Sequence, residues 1–486
     1  MNFYKKAVAG ATPESASKPF GAKDKVAYMM GDLGCNMSFA LNSYLMLFWT
    51  QFMGISLATW AIIILVLKIW DAINDPIIGS LVDAMRPKQG QSKFKPWIFW
   101  GSFALIFAGA LCFVPVPTAP MWLKIAICVL GYLLWDMSYT IVNVPYGSLN
   151  AVISANADER ASLSTFRSIG SFIANIVLAV AIPKLIYAPD GNIIGSMLIV
   201  IGLACGVVGI IAFQILCLGT TERVIVDYKV QQEGEKFNYW RSLKDFLTNR
   251  AAMSFTLVSI FQLLTMAFMT NASSLFIQQT FPNFASMSGI VSLLGFVPTF
   301  FVIPFVGKLV KKFGKKEASA WPLLIGVAGG LFLMTVPVEQ YVGFKGVLLW
   351  LVPSMCCGLG ISVNSLVGWA MVADCIDYHE IKTGRREEGV VYANYSLGRK
   401  MAQGFGASLV AVALLATGYV PTLGANQFIG VNSNIRYLLG LAYLVGFAAQ
   451  FLILQFGYNL NKKKVAEMTE LLGRENTIEN SAKQDD

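Results

Sequence analysis

The stretch Trp70–Pro76, WDAINDP, sets two carboxylates four residues apart inside a run that otherwise reads Ile, Leu, Val and Ala. On a helix, positions i and i+4 share a face, so Asp71 and Asp75 point the same way. A charged side chain at the centre of a bilayer costs about 2.5–3.5 kcal/mol on insertion scales. Two like charges on one face repel as well. Such a pair persists when it shares a proton, holds a cation or meets a basic partner. Asn74 adds an amide oxygen, and carboxylate and amide oxygens are hard ligands suited to Na+ or a proton. Pro76 removes a backbone donor and is expected to break the local ladder. The plainer alternative is an ion pair that only staples helices together.

The surroundings of the motif point to a membrane. The chain has 486 residues, 56% hydrophobic and 13% charged. Soluble domains carry about 25% charged residues. Apolar runs of about 20 residues, long enough to cross a bilayer as helices, recur along nearly the whole length. Hydropathy and span length predict twelve of them, at 26–50, 58–83, 96–116, 122–150, 165–188, 196–218, 250–278, 286–311, 320–338, 345–375, 391–416 and 434–458. The expected fold class is an all-α polytopic membrane protein. Residues 1–25 are polar and basic with no early apolar core, so no cleavable signal peptide is expected. The eight cysteines fall mostly inside apolar runs and read as buried packing residues.

Charge alternates between the loops. Arg86, Lys88, Lys93 and Lys95 follow the second span, Lys308 to Lys316 the eighth, and Lys382 to Arg386 the tenth, whereas 51–57 and 279–285 hold no Lys or Arg. Basic loops stay in the cytoplasm, so both termini are expected inside a cell membrane. The same rule accounts for the net charge of +9 without a nucleic-acid partner. The polar stretch 219–250 divides a six-helix half at 26–218 from another at 251–458, with a cytoplasmic segment at 1–25 and a tail at 459–486. GSLVDAMR from Gly79 resembles GKLVKKFGKK from Gly307 at corresponding loops of the halves. A parallel repeat of six spans is the pattern of the major facilitator fold, whose substrate sites lie near the midplane at the repeat interface.

Other polar residues fall within the spans. Arg167 and Lys400 are candidate basic partners for the carboxylates, with Arg167 placed a turn or two inside its span, where an interfacial arginine is the even alternative. Arg399 is expected to reach back to the interface. Asp32 and Asn36 share the first span; Asp136, Tyr139, Thr140 and Asn143 share the fourth. The amides of Asn36 and Asn143 suit sugar hydroxyls because they both donate and accept, although interhelical hydrogen bonding explains them as well. Trp369 offers a flat apolar face for a pyranose, or simple packing. His379 reads as a solvated loop residue. The sequence shows no phosphate-binding Gly loop, metal-ligand cluster or nucleophile triad, which argues against ATP-driven pumping and against an enzyme.

Five blocks carry a family likeness: KIWDAINDPIIGSLVD from Lys68, SKFKPWI from Ser92, YTIVNVPYGSL from Tyr139, MVADCIDYHE from Met371 and TGRREEGVVYANYSLGRK from Thr383. Together they resemble the glycoside–pentoside–hexuronide:cation symporter family over nearly the whole chain. The resemblance implies cation-coupled uptake of a sugar by alternating access, with no cofactor beyond the coupling Na+ or H+, and a monomer. It implies Asp71 and Asp75 as the cation-site carboxylates, with Asn74 and Thr140 as further ligands. Lys400 would link the cation and sugar sites, and Arg167 and Tyr139 would fall in the sugar site, beside Asn36, Asn143 and Trp369. Asp83 and Arg86, with Lys311 to Lys316, would form gating contacts. Asn36 and Asn143 stand where melibiose carriers have Asp, which argues against melibiose. The glucuronide and xyloside carriers are more similar, sharing the neutral Asn143, Trp369 and Arg399-Lys400. The competing readings are a lipid or drug transporter on the same fold and a membrane sugar sensor that transports nothing.

Overall fold

The computed structural model describes residues 2–85, 87–88, 90–154, 156–224, 244, 246–341, 343–384 and 388–472. For a few of these, Asp75 and Asp83 among them, only the helical path is described. Arg86 lies outside the described residues.

Each predicted span has a helical counterpart. In chain order these are α1 (Ala22–Phe39), α2 (Leu57–Ala84), α3 (Lys95–Leu111), α4 (Met121–Ile153), α5 (Ala157–Ile186) and α6 (Gly195–Gly219). They continue with α7 (Arg250–Thr280), α8 (Ser288–Phe313), α9 (Lys315–Thr335), α10 (Phe344–Thr383), α11 (Glu388–Ala416) and α12 (Val431–Leu452). Among the described residues, eight helices are long and apolar enough to cross a membrane, and α3 is a shorter apolar helix. Helices satisfy their backbone hydrogen bonds internally, as lipid requires. The large apolar side chains need no protein cover: Ile62, Val66, Ile69, Ile73, Ile77 and Leu81 form one exposed stripe along α2. Its spacing of three to four residues is that of one helix face.

Three limits differ from expectation. α10 runs on to Thr383, where Gly384 at φ +68° closes it in the left-handed region. His379 therefore belongs to a helix and is 0% exposed, not a solvated loop residue. α5 starts at Ala157, so Arg167 stands ten residues in, about 15 Å along the axis at 1.5 Å per residue. α2 passes through Pro76 without a break, because the rest of the long helix holds the segment while one ladder bond is lost.

The chain forms two compact units. One comprises Met1–Glu235 with Pro282–Gly289 and Val420–Asn426; the other comprises Lys236–Phe281, Ile290–Tyr419 and Gln427–Asp486. In the first unit α1 lies against α5 and α6, and α3 against α4 and α6. A Cβ at Gly131 of α4 would sit 2.8 Å from the Cys112 backbone nitrogen, so only glycine lets these two chains approach. In the second unit α9 is clasped between α10 and α12, and α7 lies against α11 and α12. There a Cβ at Gly330 would meet the Leu444 backbone nitrogen at 2.6 Å.

The segment before α1 is fastened to the first unit. Ser92 N–H donates to the Val8 carbonyl at 2.9 Å, and Gly10 N–H to Gly90 at 3.0 Å. Arg223, just after α6, donates to both Asp24 oxygens at 3.2 and 2.8 Å and to the carbonyls of Lys18 and Pro19. Ser92 donates to the buried Glu222 carboxylate, and Lys95 to the Thr220 carbonyl at 2.7 Å. Burial pushes the Glu222 carboxyl up from the usual carboxylate range, against the pull of Lys95 and the Ser92 hydroxyl.

Candidate functional site

Two polar clusters lie among the helices of the first unit. In one, Arg167 of α5 donates through Nε to Asp32 Oδ1 of α1 at 2.9 Å. The guanidinium also lies over the Tyr146 ring, 4.8 Å from its centroid. One turn along α1, Asn36 donates to the Asp32 carbonyl at 2.8 Å and its carboxylate at 3.1 Å, and accepts from Asn175 at 3.0 Å. Tyr28 and Tyr146 donate to each other's backbone carbonyls at 3.3 and 2.9 Å, which fixes the floor under Arg167. Cys35 approaches the Asn143 amide oxygen at 3.9 Å. Arg167 therefore meets Asp32, not the Asp71 carboxylate for which it was a candidate partner.

The second cluster surrounds Asp71. Lys68, one turn earlier on α2, places Nζ 3.3 Å from Asp71 Oδ2 and 5.6 Å from the centroid of the Tyr132 ring. Asp136 of α4 lies within hydrogen-bonding reach of Asp71 and interacts with Lys68. Its Oδ2 is buried with no hydrogen-bond partner among the described residues, and so is Asn74 Nδ2. Thr140 is buried one turn beyond Asp136 on the same helix. The side chain of Asp75 lies outside the described residues. Lys68, Asp71 and Asp136 carry one positive and two negative charges. Among the described side chains the cluster carries one more negative than positive charge.

Tyr139 lies between the clusters. It interacts electrostatically with Asp71 on one side and with Asp32 and Arg167 on the other. Its ring is 5.8 Å from both Phe39 and Trp135, which hold it in place.

The remaining site residues belong to the second unit. Trp369 of α10 is 52% exposed and meets the Tyr395 ring edge-on at 5.8 Å. Lys400 is half-buried on α11. Arg399 lies over the Trp369 and Tyr395 rings at 5.4 and 5.6 Å. Of the gating residues, Asp83 and Arg86 lie outside the described side chains, while Lys315 pairs with Asp374 at 2.6 Å. Sequence reading left Lys68 unremarked. Its signal was present, since Lys–x–x–Asp within an apolar run is a one-turn ion pair.

A family model described as MFS/sugar transport protein matches residues 27–462. The chain belongs to the MFS/sugar transport protein family. Members of this family span the membrane many times and are transporters, not enzymes. One relative of this MFS sugar-transport chain, "Uncharacterized symporter YjmB" of Bacillus subtilis (strain 168), is 31% identical over 454 residues, which cover 93% of this chain and 95% of the relative. The "Glucuronide carrier protein homolog" of Escherichia coli (strain K12) is 27% identical and covers 91% of this chain and 93% of its own length. The solved D-xylose-proton symporter superposes with a TM-score of 0.61 over 88% of this chain and 96% of its own, at 13% identity, which speaks to the fold alone.

Proposed function

We propose that the protein is a proton-coupled symporter that brings a glycoside-class sugar into the cell by alternating access, with both termini in the cytoplasm. The observation that carries the coupling ion is the place of Lys68, 3.3 Å from Asp71. A permanent ammonium already stands beside the carboxylate that a Na+ ion would use. A second carboxylate, Asp136, lies beside it with one oxygen unpartnered. Among the described side chains, two carboxylates and one ammonium are completed by a proton, whereas a metal ion would face the ammonium at close range. Asp75, Asn74 and Thr140 are the further members of this site by resemblance.

The sugar-binding part of the first unit is proposed to centre on Asn36, Tyr139, Asn143 and Arg167; Trp369 and Lys400 are substrate-binding candidates of the second unit by resemblance. Asp32 holds the Arg167 guanidinium and the Asn36 amide in fixed orientation, so several donors are presented to hydroxyls without reorganisation. Tyr139 touches both clusters electrostatically, which gives a short route for coupling. If the proton raises sugar affinity, the sugar must raise proton affinity by the same factor. The "symporter" and "glucuronide carrier" in the relatives' names fit this reading.

The test is sugar-driven proton entry. Purified protein is reconstituted into vesicles loaded with a pH-sensitive dye, and a sugar panel is added outside with no imposed ion gradient. Internal acidification on sugar addition, absent in Asp136→Asn, supports the proposal. Sugar entry without acidification contradicts it.

A further inference from the structure

The basic side chains inside the helices are mostly answered by acids. Arg167 meets Asp32 at 2.9 Å, Lys68 meets Asp71 at 3.3 Å, Lys315 meets Asp374 at 2.6 Å and Arg436 meets Glu339 at 2.7 Å. Arg399 differs. It stands eleven residues into α11, about 16 Å from that helix's start, and among the described residues its contacts are two aromatic rings and one hydroxyl. Aromatic faces attract a guanidinium but do not neutralise it.

We propose that Arg399 is the specificity-determining residue of the transporter and selects a sugar that carries a carboxylate, with the Trp369 ring as the platform for its pyranose. This rests on the symport reading above and narrows its substrate. The guanidinium is held in place by rigid neighbours. Tyr395, to whose hydroxyl Nη1 donates at 3.3 Å, is buried, lies 2.9 Å from the Ser259 hydroxyl and stacks on Phe255 with the planes 15° apart. Among the described residues one of five N–H donors is thereby used, and the rest form the planar fork that fits a carboxylate with two parallel bonds. Trp369 leaves half its surface uncovered beside the charge.

A hydroxyl-binding row continues the patch. Ser365, one turn before Trp369 on α10, accepts from Gln262 at 2.8 Å, and Gln262 accepts from Asn364 at 2.8 Å. Asn364 is 2% exposed, and its Oδ1 has no hydrogen-bond partner among the described residues. A charged fork over an aromatic plate, with amide groups one turn before that plate on α10, is the complement of a hexuronide: carboxylate, ring and hydroxyls.

The experiment uses full-length protein in proteoliposomes and two sugars with the same aglycone, p-nitrophenyl β-D-glucuronide and p-nitrophenyl β-D-xyloside. Accumulation of each is measured in the wild type, Arg399→Gln and Arg399→Lys. A hydrogen-bonded charge pair is worth about tenfold or more in binding, so Arg399→Gln is expected to lower the glucuronide-to-xyloside ratio by about tenfold. Arg399→Lys keeps the charge and loses the fork, and is expected to lower the ratio by less. If Arg399→Gln fails to reach the membrane, Arg399→Lys alone decides, and an unchanged ratio overturns the proposal. A wild type that accumulates the xyloside and not the glucuronide refutes the role of Arg399 and leaves the symport reading standing. Accumulation of neither sugar removes both.

Discussion

Replacing Asp32 by Asn keeps the shape of the side chain and removes its charge from Arg167. The pair spans 2.9 Å, with side-chain exposures of 36% for Arg167 and 12% for Asp32. Breaking a fully buried pair costs about 3–5 kcal/mol, and an exposed pair contributes about 0–1 kcal/mol. This pair is nearly buried at one end and a third exposed at the other, so about 2 kcal/mol is expected, close to a 30-fold change in an equilibrium constant. The loss should appear in sugar affinity because the same carboxylate also accepts from Asn36. The assay is a double-mutant cycle on sugar affinity, by calorimetry in detergent, with Asp32→Asn, Arg167→Gln and the double variant. Non-additivity of about 2 kcal/mol is expected, since contacting residues couple. Additive losses within about 0.5 kcal/mol would show that Asp32 does not act through Arg167, and the account of a preset arginine would fail.

Asp136→Asn should reduce gradient-driven accumulation by about 5–150-fold, the span of ordinary coupling energies, while exchange of labelled for unlabelled sugar persists; retained accumulation would remove Asp136 from the coupling site. Arg223→Ala breaks the two bonds to Asp24 in a pair whose side chains are 11% and 5% exposed, and should cost about 3–5 kcal/mol of docking. Trypsin should then cut at Lys5, Lys6 and Lys18 far faster than in the wild type. Glu222 makes the same docking pH-dependent. Its folded carboxyl titrates above the unfolded value because burial outweighs Lys95, Ser92 and the Ala11 backbone. That stability is complete below the unfolded value and is lost as pH rises through the folded one. Trypsin protection of the segment should therefore fall with rising pH, and Glu222→Gln should flatten the curve.

The helices were legible because hydropathy and length dictate them in lipid, where no other open structure satisfies the backbone. Their ends were less so. α5 begins with the charged run Ala157–Ala161, which hydropathy discards although it continues the helix. His379 was misplaced for the same reason, since Asp377 and Glu380 made the end of α10 read as a loop. Within the site, the residues that stood out were those whose charge is expensive in a membrane. Pairings between helices were not legible: Arg167 with Asp32, and Asp71 with Asp136, depend on which faces of α1, α2, α4 and α5 meet. The stacking of Arg399 on Trp369 and Tyr395 was hidden likewise, because the rings come from two helices.

The most direct test of the central claim is sugar accumulation in proteoliposomes under one imposed gradient at a time. Labelled glycosides are followed under an inward proton gradient at equal Na+, and under an inward Na+ gradient at equal pH. The account predicts accumulation above the external concentration with the proton gradient and none with Na+. Accumulation driven by Na+ alone would contradict it, and would place a metal ion where Lys68 now answers Asp71.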